Sequence, residues 1–128
     1  MTYLLVFLGA GIGGVLRQAV NVLAEARLGA GFPAGTLTVN VTGSIIMGVI
    51  AGIFALRTDL PQDLKLFLTT GILGGFTTFS TFSLDSINLW DRGQEGLALV
   101  YVIASLLLSL SGLALGMIIV RLFQNVSM

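Results

Sequence analysis

Four stretches of the sequence are each long enough and apolar enough to cross a membrane as a helix. A membrane-spanning helix needs about 20 consecutive, mainly apolar residues. The four stretches run from 3 to 24, 35 to 56, 64 to 90 and 97 to 123. Short connections separate them and carry most of the charged residues and both prolines. The sequence therefore predicts an all-α membrane protein in which residues 1–128 form a single four-helix transmembrane domain.

The composition argues against an enzyme. Charged residues make up 9% of the chain and hydrophobic residues 55%, whereas soluble proteins contain about 25% charged residues. The chain has no Cys and no His, so it lacks thiol nucleophiles and the commonest general base and metal ligand. The net charge of zero gives no reason to expect nucleic acid as a partner. The first apolar stretch follows Met1-Thr2-Tyr3 without the basic segment of a secretory signal, and we expect it to be retained.

Basic residues are almost evenly divided between the two sides of the predicted bundle. Arg57, Lys65 and Arg121 fall on the N-terminal side, and Arg27 and Arg92 on the opposite side. Orientation in a membrane follows the excess of Lys and Arg on one side. So small an excess allows insertion in both orientations and antiparallel pairing of two copies. A single orientation set by this modest bias is the alternative, which the sequence leaves open.

Each predicted span contains one pair of glycines four residues apart. This spacing lets the backbones of neighbouring membrane helices approach closely. The pairs are Gly9 with Gly13, Gly48 with Gly52, Gly71 with Gly75, and Gly112 with Gly116. We interpret them as packing positions, and the GxGxxG match at residues 9–14, which no strand precedes, as unrelated to nucleotide binding.

The third span combines adjacent glycines with a run of hydroxyl and aromatic side chains. After Gly74-Gly75 come five hydroxyl residues interleaved with phenylalanines, up to Ser83. A break in the helix at the two glycines would expose backbone polar groups, which membranes tolerate only where these groups line a cavity or bind an ion. The alternative is a continuous, glycine-rich helix whose hydroxyls bond to their own backbone. We predict a third helix broken near its middle.

Beyond the predicted break, aromatic and hydroxyl side chains follow adjacent tracks. Phe79 and Phe82 are three residues apart and share one helix face, beside Ser80 and Ser83. Thr81 belongs to the same run of hydroxyls. A serine in a membrane helix can also make an ordinary hydrogen bond to another helix.

Three further spans contribute isolated polar residues. Tyr101, Ser105 and Ser109 recur every four residues and form a second polar stripe. Asn40 offers an amide donor near the start of the second span. Arg17 lies inside the first span, where it either snorkels to the surface, bonds to carbonyls freed by a break or attracts anions; we favour the structural roles.

The available donors suit an anion better than a cation. They are hydroxyls, an amide and the positive edges of phenyl rings, and no ring of carboxylates is present. Asp85 is the one acidic residue near the predicted path, and we expect it at a vestibule or bonded to a hydroxyl. The predicted ligand is a small anion.

Taken together, these motifs resemble the Fluc (CrcB) fluoride channels over nearly the whole chain. The resemblance rests on Gly13-Gly14 with Arg17, on Gly35-Thr36-Leu37 with Asn40 and Gly43, and above all on the run from Gly74 to Ser83. It implies an antiparallel, dual-topology homodimer in the inner membrane that passes fluoride down its gradient and confers fluoride resistance.

The resemblance also implies roles for individual residues. Phe79 and Phe82 would contact fluoride through their ring edges, and Asn40 would donate a hydrogen bond in the pore. The polar track would consist of Tyr101, Ser105 and Ser109. The carbonyls of Gly74 and Thr77 from both subunits would hold a structural sodium ion, and Arg17 would be the arginine of the first helix. Members of the family commonly carry Glu where this chain has Asp85, whose side chain is one methylene shorter and reaches less far towards a pore hydroxyl.

Two other functions fit parts of the sequence. A proton-coupled multidrug or anion exporter of the small four-helix kind needs an exchangeable carboxylate among its substrate-binding helices, and Asp85 is the one weak candidate. A non-transporting assembly subunit would explain the glycine pairs but not a hydroxyl-rich broken helix. The sequence favours the fluoride channel.

Overall fold

The computed structural model describes residues 1–126, which form helices joined by short turns and contain no strand. Two long helices, α1 and α2, come first, followed by two short segments, α3 and α4, and by one long helix, α5. Their bounds are Thr2–Leu28 for α1, Ala34–Leu56 for α2, 62–76 for α3, Phe79–Asp91 for α4 and Glu95–Val126 for α5. The predicted all-α fold is confirmed over this part of the chain.

Three of these helices, α1, α2 and α5, are long and apolar enough to cross a membrane by themselves. The third predicted span is instead made of two segments, α3 and α4, and α4 has only 13 residues. Helix α5 has 32 residues and is therefore about 48 Å long. Because the hydrocarbon core of a bilayer is about 30 Å thick, α5 must tilt or project beyond it.

Glycines bring the helix backbones into direct contact. A Cβ atom added to Gly9 would lie 2.8 Å from Gly71 Cα, and one added to Gly75 would lie 2.8 Å from Ala10 Cα. These contacts pack α1 against α3. On the other side of the bundle, Gly48 and Gly116 let α2 and α5 approach to backbone contact. The prediction that the glycine pairs serve helix packing is confirmed.

Segment α3 contains a π-helical stretch that the sequence did not predict. An α-helix over Gln62–Leu66 widens into a π-helix over Phe67–Leu73 and returns to α-helix over Gly74–Phe76. At its end, the Gly74 N–H donates to the carbonyl of Thr69, five residues earlier. Such wide turns are rare and occur frequently at functional sites. Only the short stretch Gly74–Phe76 separates this one from the helix break.

The third span is broken near its middle, as predicted, but the break lies at Thr77 and Thr78 and the expected position at Gly74-Gly75 was wrong. Thr77 has ψ 161° and Thr78 has φ −156° and ψ 121°, which are extended conformations. Gly74 keeps helical angles of −62° and −37°. The glycines remain helical because Gly75 is needed for backbone contact with α1, and the chain opens where a threonine can cap the next helix.

The connection between α2 and α3 carries an exposed ion pair, with Arg57 Nε 3.1 Å from Asp59 Oδ1. The hydrogen bond from Arg57 lowers the pKa of the Asp59 carboxyl. Because both side chains are exposed to solvent, the pair adds little to stability.

Candidate functional site

Side chains from α1 and α2 satisfy the backbone that the break exposes. Asn40 on α2 pairs with Thr78 twice: its Nδ2 donates to the Thr78 carbonyl at 3.0 Å, and the Thr78 N–H donates to its Oδ1 at 2.8 Å. Arg17 on α1 donates from Nη1 to the Thr77 carbonyl at 3.2 Å. Unpaired backbone groups are costly in a membrane. These two side chains therefore stabilise an open backbone at that depth.

Helix α4 begins inside the bundle with a side-chain cap. Thr78 Oγ1 accepts a hydrogen bond from the Thr81 N–H at 3.1 Å. The N-terminus of a helix carries a partial positive charge and unpaired N–H groups. The break thus places the positive end of a half-helix in the middle of the bundle, an arrangement that favours an anion.

A cavity of about 360 Å³ opens beside this helix start. Polar and apolar side chains from α2, α5 and the break line it together: Asn40, Gly43, Ser44, Met47, Thr77, Thr78, Phe79, Phe82, Ser105, Leu106, Ser109, Leu110 and Leu113. None of these lining residues is acidic or basic. The cavity therefore offers hydrogen-bond donors and apolar surface without a fixed charge, so no carboxylate in its lining repels a small anion.

Ser105 lines this cavity and provides an uncommitted hydroxyl beside it. The residue is only 6% exposed, and within residues 1–126 its Oγ has no hydrogen-bond partner. A buried polar group without a partner is costly unless a ligand or water binds it. Ser109, one helical turn further along α5, lines the same cavity. The two hydroxyls form a short polar track on one face of α5.

Aromatic rings connect the helix break to α5. The ring centroids of Phe79 and Phe82 lie 5.5 Å apart, and those of Phe82 and Tyr101 lie 5.4 Å apart. Phe82 is 9% exposed, whereas Phe79 is 76% exposed. Phe82 is therefore held by packing within the chain, and Phe79 is open to the membrane or to a second protein surface.

A second cavity, of about 260 Å³, lies near the loop between α1 and α2. Its charged lining residues are Glu25, Asp85 and Arg92, accompanied by Asn21 and Asn88. The Tyr101 hydroxyl donates to Asp85 Oδ2 at 3.2 Å. Asp85 thus lines this second cavity, which is called the vestibule below, and also accepts a hydrogen bond from a hydroxyl of the predicted polar track, despite its short side chain.

The structure separates the hydroxyls of α4 from the first cavity. Ser83 Oγ donates to the Phe79 carbonyl at 2.9 Å, and Ser80 Oγ lies 3.3 Å from Thr78 Oγ1. Thr81 lines the vestibule instead. Because α4 restarts at Phe79, the helical rotation turns Phe79 and Phe82 into the cavity and these three side chains away from it.

Gly74 and Thr77, the predicted sodium ligands, lie at the end of α3. The Thr78 N–H would donate to the Gly74 carbonyl in a continuous helix, but it donates to Asn40 instead. The break therefore leaves the Gly74 carbonyl without its helical donor. The Thr77 carbonyl already accepts a bond from Arg17, whose positive charge opposes a nearby cation.

The sequence interpretation missed two polar residues of the first cavity. Ser44 lies four residues after Asn40 on α2, a spacing that places both side chains on the same helix face. Thr78 caps α4 and supplies both its backbone groups to Asn40. Its preference for an N-cap position was the available signal.

The family model and the similar proteins found by comparison agree with each other. The family model described as "CrcB-like protein, Camphor Resistance (CrcB)" matches residues 4–117. A protein of Methylobacterium sp. (strain 4-46) named "Fluoride-specific ion channel FluC" is 58% identical over 94% of this chain and 96% of its own length. Proteins of the same name from Methylobacterium nodulans and Rhodopseudomonas palustris (strain BisB5) are 52% and 50% identical, each over 94% of this chain and over 96% and 98% of their own lengths.

Proposed function

This chain belongs to the CrcB family, and on that premise we propose that it is a fluoride-selective channel of the inner (plasma) membrane. It lets fluoride leave the cell passively, down its electrochemical gradient, and so protects the cytoplasm. The observation that carries the proposal is the uncharged, donor-lined cavity beside the start of α4. A channel of this kind performs no covalent chemistry, and we assign no catalytic residue.

The cavity offers fluoride a replacement for part of its water shell. Ser105 Oγ is buried with no partner among the described residues, and Ser109 follows it. One N–H of Asn40 is used at the Thr78 carbonyl, which leaves the second N–H of the amide for the ion. The ring edges of Phe79 and Phe82 add a weak positive potential. Several weak donors hold an anion loosely enough for it to leave again, which conduction requires.

The vestibule provides the route towards this cavity from one side. Arg92 attracts anions there, whereas Glu25 and Asp85 repel them. Because the Tyr101 proton is directed at Asp85, this hydroxyl is not free to bind fluoride in the conformation described. Ser105, one helical turn further along α5, is the first uncommitted hydroxyl on the route.

We further infer that the working unit is an antiparallel homodimer of dual topology. The near balance of basic residues supports it. Phe79 supports it as well, since its ring is 76% exposed beside the cavity and a second protomer would cover it. In such a dimer the two breaks would face each other, and each protomer would present the C-terminal end of its α3 to the partner.

A structural sodium ion is part of this proposal. The Gly74 and Thr77 carbonyls of both protomers would supply four hard oxygen ligands, the kind that alkali cations prefer. The missing helical donor at Gly74 supports this assignment. The Arg17 bond to Thr77 counts against very tight binding, and the sodium would serve to hold the two breaks together without moving with fluoride.

Fluoride efflux from liposomes containing the purified protein tests the function directly. Liposomes loaded with potassium fluoride should release fluoride once a potassium ionophore removes the counter-charge, with no proton gradient and no ATP. Chloride-loaded liposomes should barely leak. Equal release of fluoride and chloride would contradict selectivity, and fluoride release that requires an imposed proton gradient would indicate a proton-coupled exporter.

A further inference from the structure

The loop between α1 and α2 places the aromatic ring of Phe32 against Tyr101, outside the first cavity. The ring centroids of Phe32 and Tyr101 lie 5.6 Å apart, with an angle of 87° between the ring planes. Phe32 is partly buried and packs on the cluster formed by Phe82, Leu89, Ala98 and Tyr101. Its ring therefore reaches the interior from a loop outside α4 and α5, the helices that carry Phe82 and Tyr101.

Backbone geometry fixes the position of Phe32. The Ala34 N–H donates to the Phe32 carbonyl at 2.8 Å, and Pro33 between them has φ −77° and ψ 59°. These values describe an inverse γ-turn, and the proline ring holds its φ angle in place. The direction in which the loop presents Phe32 is thus restrained by covalent structure.

Tyr101 is held between two rings that come from different parts of the chain. The Tyr101 ring contacts the ring of Phe82 at a centroid distance of 5.4 Å and the ring of Phe32 at 5.6 Å. Tyr101 is 0% exposed, and its hydroxyl reaches Asp85 Oδ2 at 3.2 Å. Because a phenol can direct its hydroxyl only where its ring allows, the two neighbouring rings contribute to the choice of acceptor that the hydroxyl meets.

We propose that Phe32 is a positioning residue for ion passage: it keeps the Tyr101 ring in the orientation that directs its hydroxyl to Asp85. This proposal rests on the proposed function, because the Tyr101 ring would act on ion passage through its hydrogen bond to Asp85, which lines the vestibule. Phe32 itself need not touch the ion. Without an aromatic ring at this position, Tyr101 gains freedom to turn and Asp85 loses its defined hydroxyl donor.

A double-mutant cycle on fluoride efflux tests the proposal. We expect Phe32→Met, which keeps apolar bulk without a ring, to lower the efflux rate about three- to tenfold, the range corresponding to one edge-to-face aromatic contact. Phe32→Tyr should retain the parent rate. In a Tyr101→Phe background, Phe32→Met should cause no further loss, because its effect acts through the hydroxyl. Efflux at the parent rate for Phe32→Met, or independent effects of the two substitutions, would overturn the proposal.

A spectroscopic measurement keeps the proposal testable even if a variant loses flux altogether. The chain has two tyrosines, so Tyr3→Phe protein labelled with 3-fluorotyrosine carries one fluorine label, on Tyr101. The parent label should give one fluorine resonance, and Phe32→Met should split or broaden it as the ring samples several orientations. Leu97→Ala, which alters another neighbour of the same cluster, is the matched control and should keep one resonance. A single sharp resonance in Phe32→Met would contradict the positioning role.

The two measurements also separate this inference from the proposed function. If the parent protein releases no fluoride, the channel proposal fails while the fluorine spectrum still reports on Tyr101. If the parent conducts and both Phe32 readouts match the parent, only the role of Phe32 is refuted.

Discussion

Asn40 and Thr78 form a reciprocal pair of hydrogen bonds, in which one amide side chain pairs with both backbone groups of one residue. The distances are 3.0 Å from Asn40 Nδ2 to the Thr78 carbonyl and 2.8 Å from the Thr78 N–H to Asn40 Oδ1. The side chain thereby takes the place of a helical neighbour. It connects α2 to the break between α3 and α4. Asn40 therefore both lines the first cavity and supports the backbone of the break beside it.

Replacing Asn40 should therefore damage both stability and conduction. In Asn40→Ala, the N–H and carbonyl of Thr78 lose their partners, at a cost of about 1–3 kcal/mol for each buried group left unsatisfied. We expect a clear drop in the thermal transition of the purified protein, together with a large loss of fluoride efflux.

Thr42→Ala is the control for this experiment, because Thr42 lies on the same helix and its hydroxyl bonds only to the Thr38 carbonyl of that helix. It should behave like the parent in both measurements. An Asn40→Ala protein with unchanged thermal transition and efflux would show that Asn40 does not support the break.

Substituting the two phenylalanines beside the first cavity distinguishes a packing role of their side chains from an electrostatic role. Phe79→Ile and Phe82→Ile, made singly, roughly keep apolar bulk, and such changes usually cost less than about 1.5 kcal/mol. They remove the positive ring edge. We expect each to reduce fluoride efflux severely while the protein remains folded. Phe79 is the sharper test, because it is 76% exposed and contributes little packing within the protomer.

Phe7→Ile serves as the matched control, since Phe7 is 73% exposed on α1 and lies outside the first cavity. Efflux from this variant should equal that of the parent. If Phe79→Ile and Phe82→Ile also conduct at the parent rate, their rings do not contact the ion.

Glycines on the two faces of α1 should respond to alanine in opposite ways. A Cβ on Gly13 would collide with the Ile72 carbonyl and lie 2.7 Å from Phe76 N, whereas one on Gly11 would meet nothing within 4 Å. Gly13→Ala should be destabilising by about 1–3 kcal/mol or more. Gly11→Ala should be neutral or gain up to about 1 kcal/mol from helix propensity within the protomer. Thermal melts followed by size-exclusion chromatography would measure both, and equal melts would contradict the close contact of α1 with α3.

The sodium proposal predicts a slow structural effect. Replacing sodium by a bulky organic cation on both sides of the membrane should inactivate fluoride efflux gradually, as the ion leaves the carbonyls of Gly74 and Thr77. Reversing the direction of a sodium gradient should leave the rate unchanged. A rate that follows the sodium gradient would show cotransport, and full activity after prolonged sodium removal would exclude a required sodium ion.

Dual topology predicts a mixed orientation. Reporters fused after residue 128 should be found on both sides of the membrane, because the basic residues are so evenly divided. Two lysines added to one connection should convert the mixture to one orientation. Oppositely biased variants should be active together and inactive alone. A uniform reporter location in the parent would refute dual topology.

The sequence determined the class of the protein and most of its packing. Four apolar stretches of membrane-spanning length require helices, because only internal hydrogen bonding satisfies a backbone in hydrocarbon. The glycine pairs specified close helix contacts, and the structure uses them between α1 and α3 and between α2 and α5. The periodicity of the fourth span also placed Tyr101, Ser105 and Ser109 on one face. Each of these features depends on spacing along one helix.

Only the tertiary structure decided where the third span opens and which polar groups remain free. Adjacent glycines suggested a break at Gly74-Gly75, but contact with Ala10 on α1 keeps Gly75 helical. The chain opens at Thr77-Thr78 because Arg17 and Asn40, 60 and 38 positions away in sequence, supply the missing hydrogen bonds. The approach of separate helices decides which side chains reach the break, and the spacing of residues within one helix does not identify them.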